Sequence, residues 1–184
     1  NLYYTRYALD ADRLCMRFDS DATTASPSKL YYGLKELSTK ADKQDDLLVQ
    51  DFSSLQTTDD DHIIPLSEAE KEVKYRFFQQ WIGETLETIN GLDADKFSGA
   101  IAYLLLSLTH RIDYMIAPEG KLLHQLERVT AIYFKKDDRP VTEKNRDMVE
   151  EFRKLKDLPK EEVIGYLFRS KYTFSIVAPQ PYKT

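Results

Sequence analysis

This 184-residue sequence predicts a mainly α fold: a bundle of five to seven helices, a small N-terminal β-hairpin and a strand near the C-terminus. Three observations predict it. Residues 97–116 read FSGAIAYLLLSLTHRIDYMI, with Ser107 the only polar residue between Ile101 and Leu108. Apolar stripes at helical spacing recur on both sides of that run. Strand-like stretches are confined to the two ends of the chain.

The run at 97–116 is the organising element. Twenty residues of helix span about 30 Å, enough to cross a small domain or a bilayer. His110, Arg111 and Asp113 in its second half, with Lys96 before it, argue for a protein interior, because such groups are costly in lipid. A helix apolar nearly all round needs neighbours on most of its surface. Leu105, Leu108 and Ile112 are its predicted core residues.

In chain order, Tyr3, Thr5 and Tyr7 alternate with Leu2, Tyr4 and Arg6. After Asp10-Ala11-Asp12, Leu14, Met16 and Phe18 alternate with Cys15 and Arg17. Period-two alternation around an Asp-rich turn predicts a hairpin. A lone hairpin is marginal in water, so it should pack on helices or pair with the strand candidate Tyr172 to Val177. Residues 19–26 are a loop. Ser26-Pro27 opens a helix over about 27–40, carrying Leu30, Tyr31, Leu34 and Leu37. A second, over about 42–55, carries Leu47, Leu48, Phe52 and Leu55. Residues 57–65 break the pattern.

Ser67 and Glu70 form a capping box for a helix running to Asn90. Its apolar stripe is Val73, Phe77, Trp81, Ile82, Leu86 and Ile89, and Asn90-Gly91 reads as an αL stop. Beyond the central helix, Pro118 and Gly120 mark a turn. Leu122, Leu126, Val129 and Tyr133 stripe the next helix, and Thr142 caps one carrying Met148, Val149, Phe152 and Leu155. Leu158-Pro159 opens a last short helix through Val163, Ile164 and Leu167. The tail from Ala178, with Pro179 and Pro181, should be extended. The sequence shows no internal repeat, heptad series or low-complexity tract. It reads as one domain over 1–184: hairpin and loop at 1–25, an acidic helical segment at 26–65, the bundle core at 66–170, and a strand and tail at 171–184.

Composition narrows function. A single cysteine, Cys15, leaves no internal disulfide framework and leans towards the cytoplasm or another reducing compartment. The chain opens on Asn1, which leaves room for a cleaved targeting peptide. A net charge of −5 argues against phosphate-backbone binding. Residues 1–70 hold 7 Lys/Arg against 14 Asp/Glu, a net of −7; residues 71–184 hold 19 against 17, a net of +2. The basic set Lys135, Lys136, Arg139, Lys144 and Arg146 is interleaved with Asp137, Asp138, Glu143 and Asp147, so no uniformly positive surface is expected.

Three stretches carry candidate chemistry. Asp19-Ser20-Asp21-Ala22-Thr23 resembles the DxDxT loop of haloacid-dehalogenase-type phosphatases. That resemblance would imply a nucleophilic Asp19 and an acid/base Asp21 on a parallel sheet. Nothing after Thr23 alternates strand with helix, so a turn satisfied by its own side chains is favoured. Asp59-Asp60-Asp61-His62 offers hard-cation ligands but lacks the glycine and terminal glutamate of an EF-hand loop.

The third is a pair of His-x-x-acid patterns, His110/Asp113 and His124/Glu127, each on one helix face. His110 and His124 lie seven residues either side of Ala117, which levels the two imidazoles in an antiparallel helix pair. Bundle metal sites use the reverse order, Glu before His. Asp113 and Glu127 are displaced along the bundle in opposite directions, and Arg111 adds positive charge. The expectation is a structural role, with no cofactor or metal. Taken with twelve Tyr and nine Phe, the sequence favours a protein-interaction or scaffolding subunit contacting other proteins through aromatic-rich termini. The alternative is a metal-dependent or acid/base enzyme using His110, Asp113, His124 and Glu127.

Overall fold

Ser26 and Pro27 start the first helix as their types dictate. In the computed structural model, the Ser26 hydroxyl accepts from the Lys29 N–H at 3.1 Å, and Pro27 is the first helical residue. The structure describes residues 2–58, 61 and 63–170. The expected strand at 172–177, the tail from Ala178, and Asp59, Asp60 and His62 lie outside them. The fold is mainly α. The chain clusters into two compact units, Asn1–Thr57 and Thr58–Thr184, where the sequence reads as one domain.

Unit 1 contains β1 (Thr5–Asp10), β2 (Arg13–Phe18) and α1 (Pro27–Asp51). The strands pair antiparallel from Thr5↔Phe18 to Asp10↔Arg13. The two-residue loop places Ala11 at a φ of 56°, the left-handed conformation that tight hairpins require. The register puts Thr5, Tyr7, Met16 and Phe18 on one face of the ribbon, and that face meets α1. Gly33 is buried there, because a Cβ would overlap the Phe18 ring. The hairpin therefore packs on a helix, and among the described residues its sheet has two strands.

One carboxylate ties the unit together. Glu36 accepts the N–H groups of Tyr3, Tyr4 and Thr5 at 2.8, 2.6 and 2.9 Å, and the Thr5 hydroxyl at 3.2 Å. Desolvation pushes the Glu36 carboxyl up, but these donors together outweigh it and hold the group below its ordinary value of 4.5. A depressed folded-state value contributes stability that is present above the unfolded value and lost as pH falls through the folded one. Acidification from the ordinary glutamate value downward, through the lower folded-state one, is thus expected to loosen the hairpin from α1. Amide-exchange protection at Tyr4 and Thr5 should fall in that range and be low already in Glu36→Gln. Protection indifferent to both would remove Glu36 from this role.

Where two helices were expected over 27–40 and 42–55, one 25-residue helix runs through. No Gly or Pro interrupts residues 38–46, and the Thr39 hydroxyl bonds back to the Lys35 carbonyl at 2.7 Å without ending the ladder.

Unit 2 contains β3 (Ile63–Pro65), α2 (Glu68–Asn90), α3 (Ser98–Met115), α4 (Gly120–Phe134), α5 (Val141–Lys156), α6 (Lys160–Gly165) and β4 (Phe168–Ser170). β3 pairs antiparallel with β4, Ile63 opposite Ser170 and Pro65 opposite Phe168. Ser67 accepts from the Glu70 N–H at 3.2 Å. Glu70 does not close the capping box; its carboxylate pairs with Arg169 at 3.0 Å, fixing β4 to the start of α2. Gly91 has a φ of −84°, so α2 ends without the expected αL residue.

The buried side of α2 is Phe78, Ile82, Leu86 and Ile89. The expected stripe is thereby rotated: Phe78 is fully buried, Phe77 and Trp81 are at the margin, and Val73 is exposed. α3 packs against α2, α4 and α5 and buries Ile101, Ala102, Leu105, Leu108 and Ile112. One edge stays open, with Tyr103 and Tyr114 standing outward. α3 ends at Ala117, which takes the left-handed conformation (φ 49°) before Pro118. α4 adds Leu122, Leu126 and Val129 to the core, and α5 adds Met148, Phe152 and Leu155. Pro140, not Thr142, precedes the first turn of α5, with no side-chain cap.

Candidate functional site

α3 and α4 carry the four His and acid residues that the sequence singles out. Asp113 is buried on the inner side of α3, and Glu127 is half-buried on α4. His124 is exposed, its Nδ1 3.8 Å from Glu127 Oε2. His110 is half-buried, and its Nδ1 is shielded from solvent with no hydrogen-bond partner. Among the described residues, no three His, Cys, Asp or Glu side chains group so as to hold a metal ion.

The Asp19–Thr23 loop is bound up in its own contacts. Arg6 donates to both oxygens of Asp19 through its two terminal guanidinium nitrogens. The Asp21 carboxylate accepts the Thr23 N–H at 2.7 Å and the Thr23 hydroxyl. Hydrogen bonds from Arg6 and from Thr23 keep the two carboxyls below the ordinary carboxylate value. Both described sheets are antiparallel pairs, so the parallel sheet that the phosphatase resemblance implies is not found among the described residues.

Two of the basic residues after α4, Arg139 and Lys144, tie the loop between α4 and α5 to both helices. Lys144 is buried, its Nζ 2.7 Å from the Lys135 carbonyl, 3.3 Å from the Tyr133 carbonyl and 3.0 Å from Asp137 Oδ1. Arg139 bridges Asp137 at 3.1 Å and Asp147 at 2.6 Å. The Lys144 ammonium foremost, with Arg139, outweighs desolvation and holds the Asp137 carboxyl low. Lys144 and Arg139 are thus engaged with carbonyls and carboxylates of unit 2 itself. Cys15 is half-buried on β2, its thiol 3.4 Å from the Ala8 carbonyl, outside the hydrophobic core.

An open cleft of about 480 Å³ in unit 2 is lined by Ile63, Pro65, Leu66, Ile164, Leu167 and Phe168, with Lys71 and Lys160 among its polar residues. Lys71 pairs with Glu68 at 2.8 Å and Lys160 with Glu72 at 2.5 Å. The cleft is mainly apolar, and both of its lysines are held in ion pairs. No helix among the described residues is long and apolar enough to cross a membrane.

The exposed surface of unit 1 is a feature that composition alone hinted at. Tyr4 stacks on Tyr32 with centroids 6.4 Å apart, and Tyr31 meets Tyr32 edge-on at 5.2 Å. Tyr3 and Tyr31 are 82% and 60% exposed, and Leu9, Leu30 and Leu34 are 74%, 52% and 50% exposed. The aromatic residues of the C-terminal segment, Tyr172, Phe174 and Tyr182, lie outside the described residues. Comparison with known protein families, curated proteins and solved structures finds no match to this chain.

Proposed function

We propose that the chain is a non-enzymatic interaction or scaffolding subunit of a larger protein assembly, with unit 1 as its docking surface. One observation carries this reading. Every described member of the buried hydrophobic core lies at Leu66 or beyond, while ten large apolar side chains among the described residues of 2–57 are exposed. A hairpin on one helix without a core of its own is marginal in water. Contiguous exposed apolar surface, rich in tyrosine, marks sites that proteins cover.

The test is crosslinking capture from the native source with the full chain as bait. One protein should be recovered in stoichiometric amount, lost with Tyr31→Ala/Leu34→Glu and retained with Tyr103→Ala, an exposed change in unit 2. Identical recovery with all three baits would defeat the proposal. The enzyme alternative draws on the shielded, unpartnered Nδ1 of His110. Stoichiometric metal in the purified protein, absent from His110→Ala/His124→Ala, would favour it.

A further inference from the structure

Continuity of α1 creates a surface that two separate helices would not. A 25-residue helix is about 37 Å long. Split into two helices at 40–42, the sequence shows no heptad series; along the unbroken helix, Leu30, Leu34, Leu37, Ala41, Gln44 and Leu48 succeed one another at alternating four- and three-residue steps, a short run of the a and d positions of a coiled-coil seam. The hairpin occupies the adjoining face through Gly33 and Glu36, and Tyr7 donates to Gln44 Oε1 at 3.1 Å at its margin. Leu30 and Leu34 stay half-exposed, and Leu37, Ala41 and Leu48 are incompletely covered.

We infer that this seam binds a second copy of the chain, with the two α1 helices parallel and in register. The inference rests on the reading of unit 1 as an interaction surface and names the partner. Three features select a second copy in this orientation. A two-fold axis parallel to the helices sets each seam residue against its own counterpart, so the leucines meet leucines and Ala41 lets the backbones approach. Gln44, the polar seam residue, meets its own counterpart in that register, and a single polar seam position fixes register at some expense of stability. Lys40 and Asp45 flank the seam five residues apart, which in a parallel pair sets Lys40 of one copy beside Asp45 of the other. Antiparallel pairing centred on the same stripe would place Lys40 opposite Ser38 and Asp45 opposite Gly33, with no attraction.

Size sets the strength. A strip 37 Å long and roughly 10 Å wide falls short of the roughly 800 Å² per partner of a standard interface. Tyr31, one position after Leu30 and 60% exposed, extends the apolar area. Association in the micromolar range follows.

Sedimentation velocity on the full chain, from about 1 to about 200 µM, spans that range. The expected result is a shift from monomer to dimer. Leu30→Glu/Leu34→Glu should weaken association at least tenfold while the far-ultraviolet circular dichroism stays unchanged, since both positions are exposed. Lys40→Asp should weaken it too, and Lys40→Asp/Asp45→Lys should restore it. Wild-type protein monomeric at every concentration overturns the inference, as does a dimer indifferent to the leucine pair or unrestored by the charge swap. If the chain stays monomeric but captures a different protein through Tyr31 and Leu34, the inference fails and the interaction reading stands. If capture is also indifferent to those residues, both fail.

Discussion

Truncating Leu105 to Ala is expected to lower the unfolding free energy of unit 2 by about 2–5 kcal/mol, the range for buried leucines. Leu105 has no solvent exposure, and its helix is packed by α2, α4 and α5. Removing the isobutyl group leaves a void that three rigid neighbours cannot all move to fill. Trp81, the only tryptophan, sits half-buried on α2 and reports unfolding of this unit by fluorescence in urea. Tyr103→Ala, two residues away on the open edge, should stay within about 0.5 kcal/mol of wild type. A Leu105→Ala loss under about 1 kcal/mol would mean that α3 is not the element around which this unit is built.

That helix was legible in the sequence because its apolar residues leave little choice of face, and α2 because Ser67 marks its start. Other elements depend on information that periodicity does not contain. Phe77 and Phe78 are adjacent and equally apolar, so which one faces inward is decided by where α3 and α5 lie, and Phe78 wins. β3 is three residues long, too short for an alternating pattern, and it is a strand because β4 lies beside it. The two helices expected over 27–40 and 42–55 are one, because no Gly or Pro between them forces a break.

The candidate residues show the same division. Distance from the Ala117 turn predicts height along a helix pair, and height alone does not bring side chains together. Rotation about each axis leaves His124 facing solvent while His110 is partly enclosed. Glu36 reads as an ordinary surface carboxylate of α1 until three backbone N–H groups from residues 3–5 are brought to it. The aromatic supply near the N-terminus was plain in the composition. That it stays uncovered could not be read, because the same tyrosines at the same spacing would suit a core.

Lys144→Met is expected to cost about 3 kcal/mol, an effect set by burial of the ammonium rather than by its surface charge pairs. Neither α3 nor α4 has a basic residue in its last turn, so the carbonyls exposed there need donors from elsewhere. Lys74 supplies one to Ile116 at 2.7 Å, and Lys144 supplies them to Tyr133 and Lys135. Methionine keeps most of the stem of Lys144 but provides no donor. The Tyr133 carbonyl would lose its lysine donor at the end of α4, and Asp137 would lose its closest ammonium, with Arg139 remaining. Because the site is shielded from water, the loss should persist in about 1 M salt, where exposed pairs such as Arg153 with Glu150 are screened. Urea midpoints of Lys144→Met at low and high salt, against Lys136→Met at an exposed neighbour, measure this directly. A Lys144→Met loss that vanishes in salt, or one no larger than that of Lys136→Met, would mean that the ammonium acts as a surface charge and the end of α4 is held by something else.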